Sequence, residues 1–146
     1  MPTTPLEREV EARLNAHDVR YTRGRKAVVA ALAGADGPLS AAELQVAIGD
    51  AVPLSSIYRT LAVLEESEVL APHHGTKGIT RYELAEWLRG HHHHLICLDC
   101  GSVEDVDVTD RHEQQVEKVV AAISESAEFM PLNHALEIEG RCAQCR

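Results

Sequence analysis

The stretch His91-His92-His93-His94-Leu95-Ile96-Cys97-Leu98-Asp99-Cys100 puts four imidazoles and a C-x-x-C pair within one short run, and a second pair, Cys142 and Cys145, lies at the end of the sequence. Thiolates and imidazoles are the donors that zinc and the later transition metals prefer. Two C-x-x-C pairs supply the four sulfurs of a closed tetrahedral site, so one structural Zn2+ per chain is expected on Cys97, Cys100, Cys142 and Cys145. The intervening segment is longer than the loop of a short zinc ribbon, and the ion would staple a small folded unit rather than a single hairpin. The alternatives are disulfides, buried thiols or a redox pair. Disulfides suit secreted chains, whereas Met1 is followed by Pro, Thr and Glu instead of a basic and then apolar signal sequence. A redox C-x-x-C belongs near a βαβ pattern, and none surrounds Cys97.

Along a strand, successive side chains point to opposite faces. His91 and His93 would therefore share one face and His92 and His94 the other, so a single run could feed two metal sites. A tag or a solvated histidine-rich loop is the plainer alternative, but this run is internal and fused to an apolar strand.

At 146 residues the chain is one domain or two small ones, and small domains often need a metal to supplement a thin core. No apolar run approaches the ~20 residues of a membrane span, so a soluble, cytoplasmic protein without a membrane partner is expected. The net charge of −9 argues against nucleic acid until its distribution is read. Residues 1–84 hold 9 basic and 11 acidic side chains, and residues 85–146 hold 5 and 12, so the acidity sits with the metal donors. A local basic footprint survives at Arg20, Arg23, Arg25 and Lys26, with Arg59 further on.

In chain order, Leu6, Val10 and Leu14 recur at helical spacing. A basic turn, Arg20 to Arg25, leads into an Ala- and Val-rich helix over about 26–33. Ser40-Ala41-Ala42-Glu43 has the form of a capping box and starts a short helix. After Pro53, Ile57, Leu61 and Leu64 mark the buried stripe of a third helix, with Ser56, Arg59, Thr60 and Val63 off that stripe. This is a helix-turn-helix pattern. Strand-like runs at 69–74 and 79–84, around Gly75 to Gly78, complete a winged helix. Residues 85–90 show no strong periodicity and mark a hinge. Beyond them, strands are expected at 95–97, 103–106 and 133–140, with a helix over about 110–126 whose apolar stripe is Val116, Val119, Val120 and Ile123. The fold class is α+β, with a winged-helix domain over 1–84 and a metal-binding domain over 91–146.

Together, Arg20-x-Thr22-x-x-Arg25, Ser56-Ile57-Tyr58-Arg59-Thr60-Leu61, Tyr82-Glu83-Leu84, the histidine run with Cys97 and Cys100, Asn133-His134 and the last C-x-x-C resemble the ferric uptake regulator (Fur) family over about residues 19–145. These are metal-responsive bacterial repressors with a winged-helix domain hinged to an α/β dimerisation domain. The resemblance implies the four-cysteine zinc already read from the spacing. It also implies a sensory site of Glu83, His92 and His94, with Asp105 a further ligand, and another of His91, His93, a helix carboxylate and His134. Glu113 is the chosen carboxylate, with His112 its neighbouring candidate. Asp110 to Glu113 also has capping-box spacing, so Glu113 could instead cap its helix, and His134 could be a core histidine on a strand face with Leu136 and Ile138. His73 and His74 are reserve donors.

The spacer from Glu83 to His91 is longer than usual for the family, and Gly37-Pro38-Leu39 stands where many members carry a histidine. No cysteine lies outside the two pairs, which favours an N/O sensory site for Fe2+, Mn2+, Ni2+ or Zn2+. The expected activity is metal-dependent repression of metal-homeostasis genes, by a homodimer bound to a palindromic operator in double-stranded DNA. Arg20, Arg25 and Arg59 would hold phosphates, with Tyr21, Thr22, Ser55, Ser56 and Tyr58 beside them or at base edges. A zinc deaminase would need His-x-Glu, Pro-Cys-x-x-Cys and an open coordination position, which this sequence lacks. A zinc-stapled module that does not sense metal is the remaining alternative, alongside zinc-uptake, peroxide or nickel-type regulators of the same family.

Overall fold

The computed structural model describes residues 3–50 and 52–146. The chain divides into a first unit ending at His91 and a second spanning His92–Arg146. Among the described residues, no helix is long and apolar enough to cross a membrane.

The first unit opens with α1 (Pro5–Ala16), whose start is fixed by a capping box between Thr4 and Glu7 with Pro5 at the first helical position. Helix α2 (Arg23–Ala33) begins earlier than its apolar pattern suggests, because the Thr22 hydroxyl caps it by accepting from Arg25 N. Strand β1 (Leu39–Ser40) runs into α3 (Ala41–Ile48), and here the expected box forms in both directions: Ser40 N donates to Glu43 Oε2 and Glu43 N to Ser40 Oγ. Helix α4 (Leu54–Glu66) follows Pro53. Ile57, Leu61 and Leu64 turn inward and meet Val10 and Leu14 of α1, Val28, Val29 and Leu32 of α2, and Leu44 of α3. Each such side chain contributes about 1.5–3 kcal/mol by leaving water.

Strands β2 (Leu70–His74) and β3 (Thr80–Leu84) form an antiparallel wing, with β1 pairing the other edge of β3. Their connection takes left-handed backbone at Lys77 (φ 65°) and Gly78 (φ 69°). Arg81 of β3 reaches Glu43 Oε1 at 3.1 Å and so joins the wing to the α3 cap. Partial burial works to raise the Glu43 pKa, but the Ser40 N–H and the Arg81 guanidinium outweigh it and hold the carboxyl below its ordinary range. A depressed folded-state pKa stabilises above the unfolded value and is lost as pH falls through it. Ser40→Ala is accordingly expected to lower stability by about 0.5–2 kcal/mol, read as a shifted urea midpoint at unchanged slope. A midpoint equal to wild type would remove the cap from the fold's energetics.

The expected hinge is not an open tether. Glu86–Arg89 coil into a short helix, α5, and Leu88 packs on the core of the first unit. Leu88 finds cover there while Trp87 stays partly exposed, which a pattern of only six residues cannot reveal.

In the second unit, β4 (His93–Cys97) is the centre of a three-stranded sheet of order β5-β4-β6. It pairs antiparallel with β5 (Val103–Val106) and parallel with β6 (Glu137–Gly140), setting His94 opposite Asp105 on one side and Glu137 on the other. Between β5 and β6 lies α6 (Asp110–Ser126). The closing strand is shorter than the expected 133–140. Asn133 Oδ1 accepts from His134 N, and residues 131–135 run outside the ladder, which begins where Leu136 O accepts from His94 N. The α6 stripe also departs from expectation, since Val119 is 58% exposed and Ile123 63% exposed within the chain.

Candidate metal centres and nucleic-acid face

At the end of β4, Cys97 is buried, and the turn to Cys100 closes through Gly101 N donating to Cys97 O at 2.8 Å. The parallel register sets Gly140 beside Cys97 and so delivers Cys142, whose N–H donates to Cys97 Sγ at 3.4 Å. Sulfurs about 2.3 Å from one zinc lie about 3.8 Å apart along the edges of a tetrahedron. Cys100 Sγ and Cys142 Sγ are 3.9 Å apart, and one sulfur from each of the four cysteines falls within 4.8 Å of the others. Backbone N–H groups of Cys100 and Cys142 pull the Cys97 thiol down to about 6, while the crowding of Cys142, Cys97 and Cys100 pushes Cys145 up to about 12. Amides thus favour thiolate at Cys97, while hydrogen bonding to the neighbouring sulfurs keeps the proton on Cys145, and a dication would take that proton's place. The four-cysteine cluster fits a structural zinc.

Two histidine clusters occupy opposite faces of β4. On one, His93 Nε2 lies 2.7 Å from Glu113 Oε2 and His134 Nε2 lies 2.7 Å from Glu113 Oε1. The two rings stack at a centroid distance of 5.5 Å. Glu113 is free to turn inward because Thr109, not Asp110, caps α6 by accepting from His112 N. The capping-box reading of Glu113 therefore fails, and so does the core-histidine reading of His134, which lies before β6 and faces a carboxylate. His112 is exposed on α6.

On the other face, Asp105 Oδ1 lies 3.5 Å from both His92 Nε2 and His94 Nε2. The rings of His92 and His94 meet edge to face at 4.9 Å. Carboxylate and imidazoles at this spacing can share one divalent cation. Glu137 adjoins His94 through the β4–β6 register, and the sequence gives no sign of it because the pairing is parallel and distant. Glu83 and His91 belong to the first unit, where His91 Nδ1 contacts Glu86 Oε1. His73 is buried in β2 opposite Arg81, and His74 Nδ1 lies 3.4 Å from Thr80 Oγ1.

The nucleic-acid candidates converge on the α2 start and the outer face of α4. A groove of about 510 Å³ is lined by Thr22, Arg25, Ser56, Arg59 and Thr60 among others. Tyr58 is 56% exposed and points away from the core; Ser55, Arg20 and Arg59 are also exposed. The Arg25 guanidinium donates to the Arg20 carbonyl, fixing the basic turn. Tyr21 differs, since its ring packs against the core and its hydroxyl is buried without a hydrogen-bond partner among the described residues. Burial pushes its pKa up to about 12. The Lys26 ammonium lies 5.2 Å from that ring, so Tyr21 supports the basic turn from beneath rather than reaching outward.

A winged helix is followed by an α/β unit that gathers four cysteines and two histidine–carboxylate clusters, each able to hold a metal ion. The sequence model of the Ferric uptake regulator family matches residues 16–139, and the chain belongs to that family. It is 32% identical over 133 residues to the ferric uptake regulation protein of Brucella abortus, covering 89% of each chain. With the ferric uptake regulation protein of Bacillus subtilis it shares 29% over 141 residues, or 93% of this chain and 91% of that one. The crystal structure of the Vibrio cholerae ferric uptake regulator matches with a TM-score of 0.70 at 27% identity, covering 90% of this chain and 98% of that one. Members of the family are transcription regulators, not enzymes.

Proposed function

We propose that the chain is a metal-dependent DNA-binding repressor that acts as a homodimer on a palindromic operator and controls metal-homeostasis genes. The observation that carries this reading is the His92–His94–Asp105 cluster of the second unit, whose histidines follow Glu83 of the wing through the spacer at 85–91. When bound, a divalent cation supplies the charge that lets Glu83 share a partner with these three side chains. Holding them together selects, among the geometries the joint allows, the one that spaces two recognition helices for successive major grooves. His91 is the proposed addition to His93, Glu113 and His134. The donor set admits Fe2+, Mn2+, Ni2+ or Zn2+, and Fe2+ is the first to be tried. The uncovered α6 face, continued by Phe129 and Met130, supports dimerisation through the second unit.

On the DNA, Arg20, Arg25 and Arg59 hold phosphates, and Ser55, Ser56 and Tyr58 approach base edges. Arg59→Ala is expected to weaken operator binding without changing metal content or dimerisation, and to reduce the salt dependence of log K by about one unit of slope. An unchanged slope and affinity would take Arg59 out of the interface. The reading as a whole is tested by anaerobic purification, metal analysis, and DNA binding with each of the four metals restored in turn. At least one metal should tighten operator binding. Equal affinity with and without every metal would leave a zinc-stapled module that does not sense metal.

A further inference from the structure

The segment that joins the wing to the histidine run is built into the first unit by its one tryptophan. Trp87 Nε1 donates to the Glu68 carbonyl at 2.7 Å. Glu68 sits at the turn after α4 in left-handed backbone (φ 59°). Arg13, in the last turn of α1, places its guanidinium 4.2 Å from the indole centroid, and its Nη1 lies 3.0 Å from Glu68 Oε2. Three elements distant in sequence thus meet on a single indole. The backbone adds its own ties: Ala85 N donates to Val69 O, Leu88 N and Arg89 N to Ala85 O, and Gly90 N to Glu86 O. At Gly90 the chain takes φ 88° and ψ 169°, a region essentially restricted to glycine. A Cβ there would meet nothing within 4 Å, so the glycine is needed for its backbone conformation and not for space.

With α5 docked, the spacer after Glu83 belongs to the first unit up to His91, and the second unit begins at His92. We propose that Trp87 is a positioning residue for the metal response: clamped between Arg13 and Glu68, it holds the long spacer after Glu83 as a docked part of the first unit. This rests on the metal-responsive reading above. A slack spacer would spread Glu83 and the histidines over many geometries, and apparent metal affinity falls with the fraction in which all three can hold one ion. A docked spacer keeps that fraction high, so that at a given metal concentration the ion is bound and its effect is felt at the recognition helix.

The test uses the full-length protein with Trp87→Ala and the conservative Trp87→Phe. Trp87 is 42% exposed and lies outside the buried core, so both variants should fold. Amide hydrogen exchange is measured at Leu88, Arg89 and Gly90, with Leu61 and Leu64 as core controls. Operator affinity is measured with and without Fe2+ under anaerobic conditions. In Trp87→Ala, exchange at 88–90 should quicken at least about tenfold while the controls hold. Metal-free DNA affinity and zinc content should stay at wild-type levels, and most of the ~5- to 150-fold stimulation typical of such coupling should disappear. Trp87→Phe, which keeps a ring under Arg13 but lacks the N–H, should recover part of both. Unchanged exchange in Trp87→Ala overturns the clamp. Faster exchange with undiminished stimulation overturns the positioning role. A wild type that shows no stimulation, with exchange still loosened in the variant, defeats the metal-responsive reading and the positioning role with it, while the clamp stands.

Discussion

Cys97→Ser or Cys142→Ser is expected to remove the zinc and unfold the second unit. Apart from the β4–β5 ladder and the few buried residues along it, little else holds that unit together. The β4–β6 ladder spans four residue pairs, β6 is exposed along its length, and Ser124 is the one buried residue of α6. Structural zinc contributes on the order of 10 kcal/mol in zinc-finger peptides, comparable to the whole stability of an ordinary domain. Serine offers no soft donor, and at Cys97 it also loses a sulfur that accepts from Cys142 N. The expected results are no zinc by elemental analysis, loss of the second unit's far-ultraviolet circular dichroism, and dissociation of the proposed dimer on sedimentation. Trp87 fluorescence should persist, because the first unit has its own core. A stable, dimeric variant still holding one zinc per chain would refute the four-cysteine assignment.

The second large effect is expected at the proposed sensor. His92→Ala should retain structural zinc, dimerisation and metal-free DNA affinity, yet lose metal-stimulated binding. Asp105 faces both His92 and His94, so removing one imidazole leaves a carboxylate and a single nitrogen on this strand pair. Allosteric couplings of about 1–3 kcal/mol correspond to about 5- to 150-fold in affinity, and that factor is what the variant should forfeit. If His92→Ala and His94→Ala both respond as wild type does, sensing moves to His91, His93, Glu113 and His134.

Features with a local cause were legible in the sequence. The Ser40–Glu43 box, the Ile57–Leu61–Leu64 stripe and the two cysteine knuckles depend on residues within one or two turns. The period of two along a strand sorts the histidines onto separate faces. Thr4 to Glu7 carries the same local capping signature, as does Thr22 ahead of α2. Nonlocal features stayed hidden. Nothing near Glu137 announces parallel pairing with β4, and nothing near Trp87 announces Arg13 and Glu68. Glu113 was legible as a residue but not as a direction: its spacing suited a cap, and only Thr109 taking that role shows why its carboxylate turns to His93 and His134. The α6 stripe is legible as apolar, but its exposure within the chain, at Val119 and Ile123, is not.

Reciprocity offers the most direct test of a metal-driven switch. If metal tightens operator binding by some factor, operator must tighten metal binding by the same factor. Metal affinity of the zinc-loaded wild type, titrated anaerobically with and without saturating operator DNA, should differ by the factor found for DNA affinity with and without metal, with both ratios collapsing to about one in His92→Ala. A metal affinity indifferent to operator in the wild type would contradict the switch.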